Sequence, residues 1–305
     1  MAIPRERAPE ADTTARREAA LVLGFALFPI TLFALTPVTM QIIVRELDPL
    51  FAGLLRTAGA IVVTLPVALA LRFRLPQDGV SWRLLLLNAG LTFTLFPVLF
   101  ALGGQFTSAS HAALIMASTP IITGLCVALL ERRRPRGSWW LGCAVAFAGE
   151  AALILLRDPH RGQAGALGDL LVFCACIGSG TGYVASARLS QRIGVWPCIF
   201  WSVTLASLIQ IPPIALRWSA VDWSAVDAAG WAALLHLTYG ATVIAILAWT
   251  WALAKGGVAR VAVLQFAQPV IGVALAALLL GERLTPALLV AAAFILTGVV
   301  IARRR

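Results

Sequence analysis

The chain has 305 residues, of which 60% are hydrophobic and 12% are charged, and its formal net charge is +10. Soluble globular proteins carry about 25% charged residues, so this low share excludes a soluble fold, and the apolar content excludes a disordered chain. We therefore predict an all-α integral membrane protein.

Apolar stretches of about 17 to 25 residues cross a bilayer as helices, and the sequence contains ten of them, separated by short polar loops. Tryptophans stand at many of their ends, as expected at the level of the lipid headgroups. Residues 1–18 form a polar tail, and we expect no signal peptide to be removed. The predicted spans are 20–41, 49–71, 83–104, 107–130, 138–156, 167–187, 196–216, 229–253, 258–280 and 285–302.

The basic residues are distributed unequally between the two sides of the membrane. With ten spans, 18 of the 24 Lys and Arg residues fall on the side of the termini, and 5 fall on the opposite side. Positive loops remain in the cytoplasm, so both termini are predicted to be cytoplasmic. These short basic runs are topology signals, and we expect no binding to nucleic acid.

Two spans carry related sequence strings, one in each half of the chain. Pro120 and Pro269 are 149 residues apart, and Glu131 and Glu282 are 151 residues apart. Five spans in each half would make the two halves enter the membrane from opposite sides, which is a recurring plan of secondary transporters. We therefore predict two inverted five-helix repeats with a solute site near the membrane midplane.

At these positions the sequence resembles the EamA family of the drug/metabolite transporter superfamily. The residues that carry the resemblance are the strings GGVARVAVLQFAQP, LLLGERLTP and LTGVVIARRR in the second half, with STPII and GCAVAFAGE in the first. The resemblance implies a ten-helix carrier with repeats at 19–157 and 167–305, joined by a linker at 158–166. It also implies a central cavity, with helices five and ten peripheral, and a role in the export of amino acids and related metabolites.

Arg56, Pro120, Pro269 and Glu150 are selected from the charged and helix-bending residues within the predicted spans. Arg56 stands where the family usually has an arginine, and we expect it to be structural, reaching towards the outer surface or capping backbone carbonyls. Pro120 and Pro269 are expected to be structural as well. Glu150 is either a proton-coupling carboxylate or a neutral acid bonded to a neighbouring helix.

Uncharged polar side chains within the spans are the candidates for contact with a solute. Asn88 is a candidate in the third span, and Met116 and Thr119 form a stripe with Pro120 in the fourth. Each candidate could equally serve helix packing through an interhelical hydrogen bond. The remaining predicted cavity residues are His236 and Tyr239 in the eighth span, and Gln265 and Gln268 in the ninth.

The favoured function is that of a carrier that exports small organic solutes, namely amino acids including neutral and aromatic ones, across a bacterial inner membrane by alternating access. The chain has no phosphate-binding loop, paired carboxylates or metal-ligand spacing, so we expect no ATP, enzyme activity, metal or cofactor. The alternatives are an exporter of organic cations, which needs a cavity carboxylate such as Glu150, and a membrane subunit that transports nothing.

Overall fold

The computed structural model describes residues 9–130, 137–155, 162–256, 264–265 and 267–303. All regular secondary structure in these ranges is helical. Seven described segments are long and apolar enough to cross a bilayer, and two shorter apolar helices, Ala267–Leu280 and Pro286–Ile301, lie near the end of the chain. The all-helical membrane class is confirmed, whereas the count of ten spans stays a prediction.

The helices follow one another in two series with similar breaks. The first series is α1 (Pro9–Ile43), α2 (Pro49–Ala58), α3 (Ile61–Ala70), α4 (Gly79–Gly90), α5 (Phe96–Gly104), α6 (Ala109–Met116), α7 (Thr119–Leu130) and α8 (Gly137–Leu155). The second series is α9 (Gly162–Ile193), α10 (Val195–Arg217), α11 (Ala228–Leu235), α12 (Ala245–Gly256), α13 (Ala267–Leu280) and α14 (Pro286–Arg303).

Polar residues at the loop ends start several of these helices. Asp48 accepts a hydrogen bond from the Phe51 amide at the start of α2, and Asp227 accepts from two amides at the start of α11. Asp78 does the same at the start of α4 and also receives a bond from Arg192. Hydrogen bonds from Ser81 hold the pKa of the exposed Asp78 carboxyl below its ordinary value. Side-chain caps of this kind satisfy amide groups that the helix leaves free.

A π-helix interrupts one span in each series. Residues Leu91–Leu95 connect α4 to α5, and residues His236–Ile244 connect α11 to α12. Shifting 91–95 by the 149 residues between the two prolines gives 240–244, the last part of the second π-helix. The two series therefore share a local irregularity of the backbone as well as sequence strings, and π-helical turns often mark functional sites.

Small residues allow the helices to approach closely. A Cβ atom on Gly103 of α5 would lie 2.8 Å from the carbonyl oxygen of Gly168 in α9, and the converse distance is the same. Gly180, also in α9, faces the backbone of α7, where a Cβ would lie 3.2 Å from the Thr123 nitrogen. Close packing of this kind holds helices together in lipid, and it explains the glycine-rich stretch at 178–182.

Polar contacts join the helices at one end of the molecule, here named the Glu282 end, formed by the loops at 44–48, 105–108, 218–227 and 281–285. Gly281 adopts a left-handed conformation after α13, with φ of 66°, and this turn is followed by Glu282. The Glu282 carboxylate accepts hydrogen bonds from the amides of Ala109 (2.7 Å) and Ser110 (3.0 Å). A residue of the second half thus caps α6 of the first half.

Further contacts reinforce the same end. His111 lies 3.1 Å from the buried Asp169 carboxylate, and Thr107 donates a hydrogen bond to the other oxygen of Asp169. Glu46 accepts a hydrogen bond from the Asp227 amide. These contacts connect α6 with α9 and the first loop with the start of α11, so the Glu282 end is closed.

Candidate functional site

A cavity of about 870 Å³ is lined by residues of both series. It extends from Phe33 and Thr36 in the middle of α1 to the other end of the molecule, here named the Trp196 end, where α9 meets α10 and α12 ends. The walls there include Ser190, Trp196 and Leu253. Because the Glu282 end is closed by polar contacts, the cavity has the shape of a pocket entered from the Trp196 end.

Five of the seven predicted cavity residues lie on the wall of this cavity. They are Asn88, Met116, Thr119, Gln265 and Gln268. Their contact with a solute stays a prediction. The three residues expected to be structural, Arg56, Pro120 and Pro269, also line the cavity.

The breaks in two spans explain how Met116, Thr119, Pro120 and the glutamines reach the cavity. Helix α6 ends at Met116 and α7 begins at Thr119, so Pro120 stands in a first turn, where a proline costs no backbone hydrogen bond. In the other half α13 begins at Ala267, and Pro269 again stands in the first turn. Discontinuous helices of this kind form solute sites in many carriers.

The amide side chains of the site differ in their hydrogen bonding. Asn88 is only 1% exposed, and its Nδ2 donates a hydrogen bond to Ser202 Oγ at 2.8 Å. Its Oδ1 has no hydrogen-bond partner. Within the described ranges, the side chains of Gln265 and Gln268 form no hydrogen bond. Asn88 therefore serves helix packing and still offers an acceptor, whereas the two glutamines are free for another partner.

His236 and Tyr239 do not line the cavity. The His236 ring lies 3.0 Å from Thr39 Oγ1 and 3.1 Å from the Leu32 carbonyl oxygen, both in α1. The Tyr239 hydroxyl donates to the Gly59 carbonyl at 3.3 Å. Both residues belong to the π-helix 236–244, where i→i+5 bonding turns side chains away from the directions of an α-helix. Helix-to-helix hydrogen bonding, the alternative use of these residues, is what the contacts show.

Arg56 differs from its expected position. It is 7% exposed, lines the cavity, and does not extend towards the outer surface. Its Nε donates a hydrogen bond to Thr242 Oγ1 at 3.5 Å, and the Phe96 ring covers the guanidinium at 5.7 Å. The π-helix 236–244 and the helix that follows the first π-helix thus hold this side chain at the cavity wall.

Other wall residues were missed in the sequence. Thr57 lies next to Arg56, so its polarity could have identified it. Thr92 follows Asn88 by one helical turn, so their spacing already predicted that both share a face, and both line the cavity. Leu296 and Val299 of α14 also line the cavity, although the resemblance implied that helix ten is peripheral. Helix α14 packs mainly on α8, and only one face of it reaches the wall.

The side chains of Glu150 and Glu131 lie outside the described part of the structure. The backbone of α8 includes Glu150, but its side chain lies outside the described residues. Glu131 lies in a range that is not described. Among the described residues, no three His, Cys, Asp or Glu side chains come together as metal ligands would.

Known proteins resemble the chain along most of its length. An uncharacterized transporter of Bacillus subtilis (strain 168), YdeK, is 30% identical over 87% of this chain and 90% of its own. A protein of Escherichia coli (strain K12) named probable amino-acid metabolite efflux pump is 29% identical over 90% of this chain and 92% of its own. A solved structure with 19% identity covers 93% of this chain and 96% of that chain, with a TM-score of 0.62, and shows the same fold.

The family assignment rests on both halves. Residues 20–155 and residues 166–304 each match the EamA-like transporter family. The chain therefore belongs to the EamA-like transporter family, with the family domain present twice.

Proposed function

We propose that the protein is a secondary carrier that exports small organic solutes, including neutral and aromatic amino acids, across the bacterial inner membrane. The observation that carries the proposal is a cavity of about 870 Å³, to which both repeats contribute walls. Solute pockets in proteins have volumes of about 300–1,000 Å³, so an amino acid with an aromatic side chain fits.

The chemistry of the walls supports a partly apolar solute. Phe33, Phe93 and Trp249 supply large apolar surfaces, which suit an aromatic or aliphatic side chain. Asn88 Oδ1 is a free acceptor for an ammonium group, and the unbonded amides of Gln265 and Gln268 offer donors and acceptors. The Escherichia coli relative, whose name refers to amino-acid metabolite efflux, supports the same class of solute.

The closed Glu282 end and the cavity at the Trp196 end support alternating access. The basic residues Arg72, Arg74 and Arg192 lie at the Trp196 end, so the predicted topology makes the pocket accessible from the cytoplasm. An exporter loads its solute in this state. Release on the other side then requires the hydrogen bonds from the α6 amides to the Glu282 carboxylate to break.

An exporter of organic cations is the second candidate, and the walls argue against it. Among the described residues of the cavity, Arg56 is the only charged side chain. A cation in this cavity would be repelled by the guanidinium, and no described wall carboxylate offsets the repulsion.

Counterflow in proteoliposomes tests the proposed function. Vesicles that contain the purified protein are loaded with unlabelled L-phenylalanine, L-leucine or an organic cation, and uptake of the radiolabelled compound is measured without ATP. We expect saturable counterflow of the amino acids and none of the cation. Absence of counterflow with every amino acid tested would contradict the proposal.

A further inference from the structure

We propose that Arg56 is the binding site for a carboxylate group of the solute, so that the carrier selects organic carboxylates and excludes organic amines. This inference rests on the proposed transport function and names the solute class for it. The predicted solutes of the cavity are compounds that combine one carboxylate with an apolar body.

The first argument is the unpaired charge. Arg56 is 7% exposed, and its Nη1 has no hydrogen-bond partner. In the described part of the chain it forms no ion pair, and its bond to Thr242 is long, at 3.5 Å. A charged group within a membrane protein is unfavourable without a partner, and it usually marks a functional site. The guanidinium therefore has no anionic partner among the described residues.

The second argument is the set of groups around the same wall. Thr57 Oγ1 and Thr92 Oγ1 are buried hydroxyls without hydrogen-bond partners, and both residues line the cavity with Arg56. Hydroxyl groups and a guanidinium are all donors to a carboxylate oxygen. Natural proteins leave few buried polar groups unsatisfied, so three such residues lining one cavity indicate a missing ligand.

The third argument concerns access to the guanidinium. The Phe96 ring covers it at 5.7 Å and is itself a wall residue, stacked on Phe100 at 5.3 Å between ring centres. Arg56 and Phe96 thus form a covered anion site. When a carboxylate enters, the Phe96 ring turns aside and packs against the apolar body of the same solute.

Three probes share a phenyl group and differ in their charged groups, so they distinguish recognition of a carboxylate from recognition of an ammonium group. L-phenylalanine carries a carboxylate and an ammonium group, 3-phenylpropanoate carries only the carboxylate, and 2-phenylethylamine carries only the ammonium group. Affinity is measured by thermal shift on the purified protein in lipid nanodiscs at pH 7. We expect the two carboxylates to bind and the amine to bind at least about ten times more weakly.

Two variants of Arg56 and one control test the residue itself. Arg56→Gln should weaken binding of both carboxylates about tenfold or more, and Arg56→Lys should weaken it less, because the charge remains. Arg217→Gln is the control, since Arg217 is exposed at the Glu282 end and lies outside the cavity wall. It should bind all three probes as the unchanged protein does. If Arg56→Gln does not fold, the Arg56→Lys variant and the three probes on the unchanged protein test the carboxylate site.

The outcomes separate this inference from the transport proposal. Equal affinity for the amine and the carboxylates, no binding of either carboxylate, or unchanged carboxylate affinity in a folded Arg56 variant would each overturn the carboxylate site. Carboxylate binding that depends on Arg56, together with no counterflow in vesicles, would leave the site standing and refute transport. Counterflow that is unchanged in the Arg56→Gln variant would support transport and refute the carboxylate site at Arg56.

Discussion

Two glutamines in different helices of the bundle have opposite surroundings. Gln268 lines the cavity and forms no hydrogen bond among the described residues. Gln210 is 1% exposed in α10, and its Nε2 donates to the Phe93 carbonyl at 2.8 Å and to Thr94 Oγ1 at 3.0 Å. The same amide group is thus available to a solute in one place and holds two helices together in the other.

Replacing these glutamines by leucine distinguishes the two roles. Gln268→Leu should lower counterflow about tenfold, because a hydrogen bond to a charged group contributes about 1.5–3 kcal/mol, and it should leave the melting temperature nearly unchanged. Gln210→Leu should lower the melting temperature and leave the KM of counterflow unaltered. Full transport by the Gln268 variant would remove that residue from the site.

Glu150 provides a test of ion coupling. None of the described residues of α8 lines the cavity, and α8 packs mainly on α14. A proton carrier has to exchange with the solute pathway, so we expect Glu150→Gln to change flux less than about twofold with or without a pH gradient. Counterflow, which needs no gradient, serves as the internal control. Loss of gradient-driven flux with counterflow intact would identify Glu150 as the coupling residue.

At the scale of elements, the interruptions of the helices determine how the site is arranged. The interruption between α6 and α7, the start of α13, and the two π-helices all occur at related positions of the two halves. Proline in a first turn is visible in the sequence. The π-helices are not, because their i→i+5 bonds depend on how neighbouring helices pack. Thr94 and Thr242 each donate to the carbonyl five residues earlier, which satisfies an acceptor just before the first π-helix and one within the second.

The contact between Glu282 and α6 is the second feature at this scale. Two short hydrogen bonds join the carboxylate to the helix N-terminus, where negative charge is favourable. Glu282→Ala should lower the free energy of unfolding by about 1–3 kcal/mol, and Glu282→Gln by less, since an amide oxygen remains. Both effects are measured as melting temperatures in one detergent.

A matched control for this contact is Asp222→Asn. Asp222 is an exposed acid at the same end that bonds only within its own turn, to Ser224. Its replacement should leave the melting temperature within about one degree of the unchanged protein. If Glu282→Ala melts at the same temperature as the control, the cap contributes nothing to stability.

At the scale of the whole molecule, the orientation in the membrane is the open prediction. Single cysteines at Arg74, near the Trp196 end, and at Arg217, near the Glu282 end, are both at exposed positions. In intact cells a membrane-impermeant maleimide should label Arg217→Cys and should not label Arg74→Cys. The background is a variant without the five native cysteines. Labelling of Arg74→Cys alone would invert the topology and make the pocket face outwards.

The membrane class, the repeat and the family followed from the sequence, as did five of the residues on the cavity wall. These properties depend on hydropathy, charge and spacing, which act along the chain and need no knowledge of neighbouring helices. Only the tertiary structure decided which face each polar side chain takes. His236 and Tyr239 turn to other helices because of a π-helix, and Arg56 turns to the cavity because Thr242 and Phe96, distant in sequence, hold it there.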